Sequence, residues 1–296
     1  MSLHLTDQQI DRVIRLSLEE DAPFGDLTSQ AFVPAEAQAR AALAAREPGV
    51  MAGGRVFARA MGAVDAGVLV DLRGAEGAPF QAGETLAVVT GPARAMLTAE
   101  RTALNLLQRM CGIATLTARY TAAVEGAVSA AGRPIRITDT RKTTPGLRAL
   151  ERHAVRCGGG HNHRSGLSDA VLAKDNHLAL VGDLAEAIRQ ARSRLPHTAH
   201  IEVEVDQYEQ IPAALAGGAD TIMLDNFGLD DLRRGVELIS GNALVEASGG
   251  VTLETVADIA AAGVDLISVG ALSHSARALD IGLDMDLGLN GKLRAD

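Results

Sequence analysis

The second half of the chain repeats one pattern, in which a short β-branched or apolar run is followed by an amphipathic helical stretch. Strands that alternate with helices in this way form βα units and a parallel sheet. We count six convincing strands, not the eight of a closed barrel, so the pattern predicts an α/β fold with an incomplete or modified (β/α) barrel. A doubly wound open sheet has the same periodicity and remains an alternative. The predicted strands are residues 135–138, 171–173, 201–205, 221–224, 244–247 and 266–269, and the predicted helices are residues 183–195, 206–216, 229–240 and 252–262.

The first hundred residues do not show this alternation of strands and helices. A capping-box sequence, Thr-x-x-Gln, opens a predicted helix at residues 6–20. Residues 35–45 are ambiguous, because their alanine content favours a helix while prolines close the segment at both ends. Residues 81–89 read as a turn that leads into a strand. A second helix is predicted over residues 98–125, with a bend at Gly112.

The composition is typical of a metabolic enzyme. With 47% hydrophobic and 22% charged residues, the 296-residue chain is expected to be globular and soluble, with no membrane-spanning stretch and no signal peptide. Two cysteines do not make a disulfide framework, so a reducing cytoplasm is the expected location. The net charge of −9 and an aromatic content of 2% argue against nucleic acid as a partner.

Residues 139–177 carry positive charge against the trend of the whole chain. This window holds seven Lys and Arg residues against four acids, and four of the eight histidines. Guanidinium groups match the geometry of carboxylates and phosphates, so the cluster predicts a site for a small polyanion. A solvated basic face is the alternative. The three glycines at 158–160 count against it, because such a run suits backbone that is closely packed or at positive φ.

The predicted strand 201–205 carries two acidic residues on one face. Strand alternation sends Glu202 and Glu204 to the same side and the three aliphatic residues to the other. Asp225 ends the next strand and is expected to lie beside Glu204. Inward carboxylates need cationic partners, so the acids and the basic cluster explain each other. Such acids can bind a metal, exchange protons or stabilise a positively charged sugar centre.

Glycine-bearing turns follow the last two predicted strands, at residues 248–252 and 270–274. Their backbone amides, with a helix that is expected to begin near Thr252, would form an anion hole for a phosphate group. An ordinary turn that uses glycine for positive φ is the alternative for either one alone. Two adjacent turns favour phosphate binding.

Three histidines near the basic cluster do not predict a metal site. The spacing of His161, His163 and His177 matches no common zinc pattern, and the neighbouring cations would repel the ion. We therefore expect no protein-held metal.

Six segments together give the chain a resemblance to quinolinate phosphoribosyltransferase. They are KTTPGLRALERHAVRCGGGHNHRSGLSDAVLAKDNH, ERTALNLLQRMCGIAT, EVEV, MLDNF, EASGGV and ISVGALSHS. The likeness extends from the EDAPFGDLTS segment to the last predicted strand and thus covers nearly the whole chain. His153 departs from the family pattern, in which an aromatic ring is expected.

The resemblance implies a reaction and a set of roles. Phosphoribosyl would pass from phosphoribosyl pyrophosphate to quinolinate, with loss of CO2, giving nicotinate mononucleotide for NAD synthesis, and Mg2+ would arrive with the pyrophosphate. Lys142, Lys174, Glu204 and Asp225 would be catalytic. Thr140, Arg141, His163, Arg164 and Lys174 would hold the substrates, with Arg101 from a partner subunit. Glu204 and Asp225 would face the ribose, Lys142 would reach the pyrophosphate or the carboxylate, and Ser248, Gly249, Gly250, Val269, Gly270 and Ala271 would hold the 5-phosphate, with His274 close by.

The resemblance also implies a domain plan and an assembly. Residues 1–112 would form an α+β sandwich-like domain, residues 113–272 the barrel, and residues 273–296 a segment that packs back towards the first domain. The enzyme would be a homodimer with shared active sites.

Three alternatives remain open from the sequence. The first is a related phosphoribosyltransferase that acts on a different acid. The second is a Schiff-base aldolase with Lys174 as the nucleophile. The third is a non-catalytic protein that binds sugar phosphates.

Overall fold

The computed structural model describes residues 5–286 of the chain. Its strands are β1 (Gln38–Ala45), β2 (Gly49–Val50), β3 (Leu69–Leu72), β4 (Pro79–Phe80), β5 (Thr85–Pro92), β6 (Arg136–Thr138), β7 (Val171–Ala173), β8 (Ile201–Val205), β9 (Thr221–Asp225), β10 (Leu244–Ser248), β11 (Leu266–Ser268) and β12 (Ile281–Met285). Its helices are α1 (Asp7–Asp21), α2 (Leu27–Phe32), α3 (Gly54–Gly62), α4 (Ala93–Ala123), α5 (Arg148–Cys157), α6 (Asp175–Leu178), α7 (Leu184–Arg194), α8 (Ile211–Gly217), α9 (Leu229–Ile239), α10 (Val256–Ala261) and α11 (Ala271–His274). No helix within residues 5–286 could serve as a transmembrane span.

The described chain divides into two compact units. The first comprises residues 5–116, 144–159 and 276–286, and the second comprises residues 117–143 and 160–275. The sequence-based division had placed residues 144–159, which include α5, in the barrel domain. The last part of the predicted C-terminal segment, residues 287–296, lies outside the described residues.

The first unit contains a four-stranded antiparallel sheet in the order β12-β1-β5-β3. Its strand β1 occupies the segment whose alanine content favours a helix. Hydrogen bonding to β5 on one side and to β12 on the other overrides that weak local preference. Leu43 and Ala45 of β1 are fully buried in the core of this unit.

Two helices that begin in the first unit test the sequence prediction. The capping box at α1 is confirmed, since Thr6 accepts from the Gln9 backbone and Gln9 accepts from the Thr6 backbone. Helix α4 is one continuous helix that begins at Ala93, five residues earlier than predicted. A Cβ at Gly112 would lie 1.9 Å from the carbonyl oxygen of Arg277, so glycine here permits a close backbone approach instead of marking the predicted bend.

The second unit is a parallel six-stranded sheet in the order β6-β11-β10-β9-β8-β7, with helices in its connections. All six predicted strands are present, and the predicted incomplete barrel is confirmed. Helices α8 and α10 begin later than predicted, because hydrogen-bonded turns precede them. At α10 the N–H of Thr252 donates to the Thr255 side chain, and the helix starts only at Val256. Because the six strands are parallel, their carboxyl ends lie at the same edge of the sheet. The candidate site described below lies at this edge.

Candidate active site

A cavity of about 380 Å³ opens at the carboxyl ends of the parallel strands, within the second unit. Each strand from β6 to β11 supplies at least one wall residue, from the strand itself or from the loop after it. Nine of the predicted site residues line the cavity: Thr140, Arg141, Lys142, His163, Arg164, Lys174, Glu204, Asp225 and Ser248. Five residues of the basic window 139–177 therefore share one cavity: Arg141, Lys142, His163, Arg164 and Lys174.

Asp139 fixes the loop that carries two of these residues. Its carboxylate is buried and accepts the backbone N–H of His163 and the side-chain amide of Asn162, each at 2.7 Å. His161 extends the sheet beside β6, since its N–H donates to the carbonyl of Ile137 at 2.8 Å. The acid directly after β6 thus holds His163 and Arg164 at the cavity wall.

His163 lies between two buried carboxylates. Its Nε2 is 3.0 Å from Glu202 Oε2 and 3.5 Å from Glu246 Oε2. Burial opposes the charged imidazole, but the hydrogen bonds to Glu202 and Glu246 outweigh it and raise the pKa of His163 to about 10. Burial also raises the pKa of Glu202 to about 7, although the hydrogen bond from His163 acts in the opposite direction. The cluster therefore holds more protons at neutral pH than three separate groups would.

A further contact orients the His163 ring. The backbone nitrogen of Arg164 lies 2.8 Å from His163 Nδ1. The ring is held so that Nε2 faces the two carboxylates. The second oxygen of both Glu202 and Glu246 is buried without a hydrogen-bond partner.

A second ion pair joins neighbouring strands at the cavity. The ammonium group of Lys174, directly after β7, donates to Glu204 Oε2 of β8. Glu204 is buried, whereas the Lys174 side chain is about half exposed. Asp225 at the end of β9 accepts the side-chain amide of Asn226 at 2.7 Å. The cavity thus has a carboxylate on each of the adjacent strands β8 and β9, and the one on β8 is already paired with Lys174.

Two guanidinium groups, those of Arg141 and Arg164, bring positive charge to the same cavity. Burial and the nearby positive charge of Arg141 lower the pKa of Arg164. Lys142 is anchored through its backbone, because its N–H donates to Thr140 Oγ1 and its carbonyl accepts from Ser273 Oγ. Like charges that approach one another in a pocket indicate that an anion is the intended occupant.

The predicted phosphate-binding residues are only partly among the cavity-lining residues. Gly249 and Gly250 have φ of 91° and 60°, and a Cβ at Gly249 would lie 2.1 Å from Asn226 Oδ1. Gly270 packs against Lys142 and His274, where a Cβ would lie 3.2 and 3.0 Å from their side chains. The residues Gly249, Gly250, Val269, Gly270 and Ala271 follow β10 and β11 but do not line the cavity.

Other placements depart from the predicted set. Arg101 is exposed on α4 in the first unit and is not a lining residue. Glu246 was missed as a site residue, although it sits at an inward position of the LVEAS strand, where the same alternation that singled out Glu202 could have found it. The remaining cavity residues that were not predicted are Leu172, Met223 and Ser268.

Two groups of residues in the described part of the chain could each hold a metal ion. One is His163 with Glu202 and Glu246 in the cavity, and the other is Glu76 with His153 and Cys157 in the first unit. In the first group the protons described above already offset the two carboxylates.

Comparison with known proteins extends over most of the chain. Residues 113–284 match the quinolinate phosphoribosyl transferase C-terminal domain family, and residues 26–111 match the corresponding N-terminal domain family. The chain is 45% identical to the nicotinate-nucleotide pyrophosphorylase [carboxylating] of Mycobacterium leprae, over 95% of this chain and 100% of that protein. It is 42% identical to the probable nicotinate-nucleotide pyrophosphorylase [carboxylating] of Bacillus subtilis, over 94% of each.

Solved structures agree with these sequence matches. NadC from Streptococcus pyogenes superimposes with a TM-score of 0.89 at 39% identity, covering 96% of this chain and 99% of that one. The nicotinate-nucleotide pyrophosphorylase from Francisella tularensis gives a TM-score of 0.89 at 33% identity, over 96% and 98% of the two chains. With both domain families matched in order and relatives aligned nearly end to end, the chain belongs to the quinolinate phosphoribosyl transferase family.

Proposed function

We propose that the protein transfers phosphoribosyl from phosphoribosyl pyrophosphate to the ring nitrogen of quinolinate and releases pyrophosphate and CO2. The product is nicotinate mononucleotide, a precursor of NAD. The names of the Mycobacterium leprae and Bacillus subtilis relatives support this activity. The observation that carries it is the convergence of Arg141, Arg164 and Lys174 with Glu204 and Asp225 in one cavity.

The cationic residues would bind the two carboxylates of quinolinate. Arg141 and Arg164 can each form paired hydrogen bonds to a carboxylate, and His163 adds a donor at the same wall. Thr140 contributes a hydroxyl beside them. An anion with two carboxylates would offset the repulsion between the guanidinium groups, which favours quinolinate over an acid with a single carboxylate.

The acidic residues would act on the ribose. In the transfer step a bond forms between the quinolinate nitrogen and C1 of the ribose, and the bond from C1 to the pyrophosphate oxygen breaks. Positive charge develops on the sugar as the pyrophosphate departs, and Glu204 and Asp225 would stabilise it. Lys142 would meet the negative charge of the leaving group or of the acceptor carboxylate. Ser248 and the turns at 249–250 and 269–271 would hold the 5-phosphate.

Decarboxylation then needs little from the protein. Once its nitrogen carries the ribose, the pyridinium ring accepts the electron pair left on C2 when CO2 departs. A proton from solvent replaces CO2 at that carbon. Lys174 is paired with Glu204 and would serve in binding and electrostatics, so no Schiff base is required.

Mg2+ would accompany the donor pyrophosphate. It prefers oxygen ligands, and the carboxylates of Glu204 and Asp225 at the cavity wall have that chemistry. When bound, the ion would offset charge on the diphosphate. The charge of Glu204 is already offset by the Lys174 ammonium, whereas Asp225 accepts the neutral amide of Asn226, so Asp225 would keep more of its charge for the ion.

We further propose that the protein works in the cytoplasm as a homodimer. Arg101 supports the dimer, because the resemblance assigns it to substrate binding while the structure leaves it exposed on α4 and outside the cavity lining. A second copy of the chain would then complete each site with its own Arg101.

One assay tests the activity. The purified chain is incubated with Mg2+, phosphoribosyl pyrophosphate and quinolinate labelled in the 2-carboxylate. We expect quinolinate-dependent release of pyrophosphate and labelled CO2 in equal amounts, with nicotinate mononucleotide as the product. Pyrophosphate release with nicotinate but not with quinolinate would support a related phosphoribosyltransferase instead. Borohydride trapping of a carbonyl substrate at Lys174 would support an aldolase.

A further inference from the structure

Three potential metal ligands meet in the first unit, and the proposed reaction uses none of them. Cys157 Sγ lies 3.2 Å from Glu76 Oε2 and 3.4 Å from His153 Nε2, and the carboxylate and imidazole are 3.0 Å apart. One donor atom from each residue lies within 4.8 Å of the other two. Cysteine, histidine and glutamate are all side chains that bind Zn2+ in proteins.

We propose that Glu76, His153 and Cys157 form a Zn2+ site. Ideal tetrahedral coordination with the usual Zn–S, Zn–N and Zn–O lengths separates pairs of ligand atoms by about 3.3–3.6 Å. One of the observed distances, 3.4 Å, lies within that range and the other two, 3.0 and 3.2 Å, lie just below it. A shift of a few tenths of an ångström would therefore admit the ion.

Local structure explains why these atoms converge. His153 and Cys157 are four residues apart on α5, so their side chains lie on one face of the helix. Glu76 comes from the loop between β3 and β4. Its carboxylate accepts the backbone N–H groups of Gly53 and Gly54 at 2.8–3.1 Å, which fixes its orientation. Such outer contacts are typical of metal ligands.

The protonation states show what an ion would have to displace. Burial acts to raise the pKa of Glu76, but hydrogen bonds from His153 and Gly53 outweigh it and lower the pKa to about 2. Burial and the Glu76 carboxylate raise the pKa of the Cys157 thiol. The carboxylate is therefore already charged at neutral pH, whereas an ion would have to displace the thiol proton.

Binding balances in charge and atoms. Zn2+ would replace the thiol proton, which passes to the buffer, and no oxidation state changes. Thiolate, carboxylate and neutral imidazole together offset the two charges of the ion. The His153 and Glu76 side chains are 26% and 36% exposed, so water can reach the fourth position. The ion would join α5 to the β3–β4 loop and stabilise the first unit.

The test uses the full-length chain, stripped with a chelator and then supplied with ZnCl2 or CoCl2. We expect one equivalent of tightly bound zinc after desalting. With Co2+ we expect a near-ultraviolet thiolate-to-metal band together with intense visible bands of tetrahedral cobalt. Cys157→Ser, His153→Gln and Glu76→Gln should each weaken binding, by at least the roughly 10- to 100-fold seen when only outer partners of a metal site are lost. Cys157→Ser should also abolish the near-ultraviolet band.

Two control variants separate this site from other histidines. His163→Asn alters the second candidate group, in the cavity, and His197→Gln alters an exposed histidine outside both groups. Both should keep the bound zinc and the cobalt spectrum. The proposal is overturned if the wild-type chain binds no tight equivalent, or if His163→Asn abolishes binding while His153→Gln does not. Circular dichroism checks folding, and if Cys157→Ser is unfolded, the cobalt spectrum of the wild-type chain with the other two variants decides.

Discussion

The imidazole Nε2 of His163 lies 3.0 Å from Oε2 of Glu202, deep at the carboxyl ends of the parallel strands. Neither group is exposed, and Glu246 Oε2 approaches the same nitrogen at 3.5 Å. The alternation of β8 makes this contact possible, because it turns Glu202 inward together with Glu204. One histidine thus links two acidic strands to the loop after β6.

This relationship predicts a pH dependence of stability. The pKa of His163 is raised to about 10, above its unfolded value near 6.5, so its contribution is fully present below about pH 6.5 and is lost as the pH rises through about 10. His163→Asn removes it. We expect the difference in unfolding free energy between wild type and variant, measured by urea denaturation, to be largest near pH 6 and to shrink towards pH 10. A difference that stays constant over this range would contradict the assignment.

Glu204→Gln tests electrostatic catalysis. The substitution keeps the size of the buried side chain but removes the charge that faces Lys174 and, in the proposed reaction, the ribose. We expect kcat to fall about 10²- to 10³-fold with a smaller change in KM, the size typical of losing one preorganised electrostatic group. The matched control is Glu209→Gln, an exposed acid on the turn after the same strand, which should leave the kinetics unchanged. Equal effects of the two variants would remove Glu204 from the mechanism.

Arg141→Lys tests whether quinolinate binding needs a planar guanidinium group that can form two hydrogen bonds to one carboxylate. Lysine keeps the charge but loses the paired hydrogen bonds, and a charged hydrogen bond contributes about 1.5–3 kcal/mol. We therefore expect KM for quinolinate to rise roughly 10- to 100-fold. Arg136→Lys changes an exposed arginine on β6 and serves as the control. An unchanged KM in Arg141→Lys would show that only charge matters there.

Much of the second unit could be predicted because local pattern and tertiary structure agree there. The β-branched runs in the sequence form strands β6 to β11. Residues at or directly after the ends of these strands line the cavity. Glu204 and Asp225 were found since strand alternation and strand ends are local properties of sequence. Their roles in the reaction stay predictions.

Other features depended on contacts that are distant in sequence. Strand β1 is rich in alanine and forms only because β5 and β12 pair with it. Helix α5 lies between two segments of the second unit in sequence, yet its contacts place it in the first. His153 and Glu76 are 77 residues apart in sequence, so no local sequence pattern could predict their contact.

Gly249→Ala tests the turn after β10. The residue has φ of 91°, which costs an alanine about 1–2 kcal/mol, and its new Cβ would also meet Asn226 Oδ1 at 2.1 Å. Gly241 has φ of 75°, and beyond its two chain neighbours no described residue comes within 4 Å of where its Cβ would lie, so Gly241→Ala isolates the backbone cost. We expect Gly249→Ala to be the more destabilising in urea unfolding and to raise KM for phosphoribosyl pyrophosphate. Equal destabilisation with an unchanged KM would refute a phosphate-binding turn.

The proposed shared site predicts that two inactive variants can complement each other. Arg101→Ala would remove the residue given to the partner's site, and Lys142→Ala would remove one from the chain's own cavity. When the two variants are mixed, dissociated and reassembled, a mixed dimer holds one site with both defects and one intact site. Random pairing would restore about a quarter of wild-type activity in a twofold-symmetric dimer. The control mixes Arg141→Ala with Lys142→Ala, two defects in the same cavity, for which no mixed dimer holds an intact site. Sedimentation confirms that dimers have formed, and if they have, activity no higher in the Arg101 mixture than in the control would exclude sharing through Arg101.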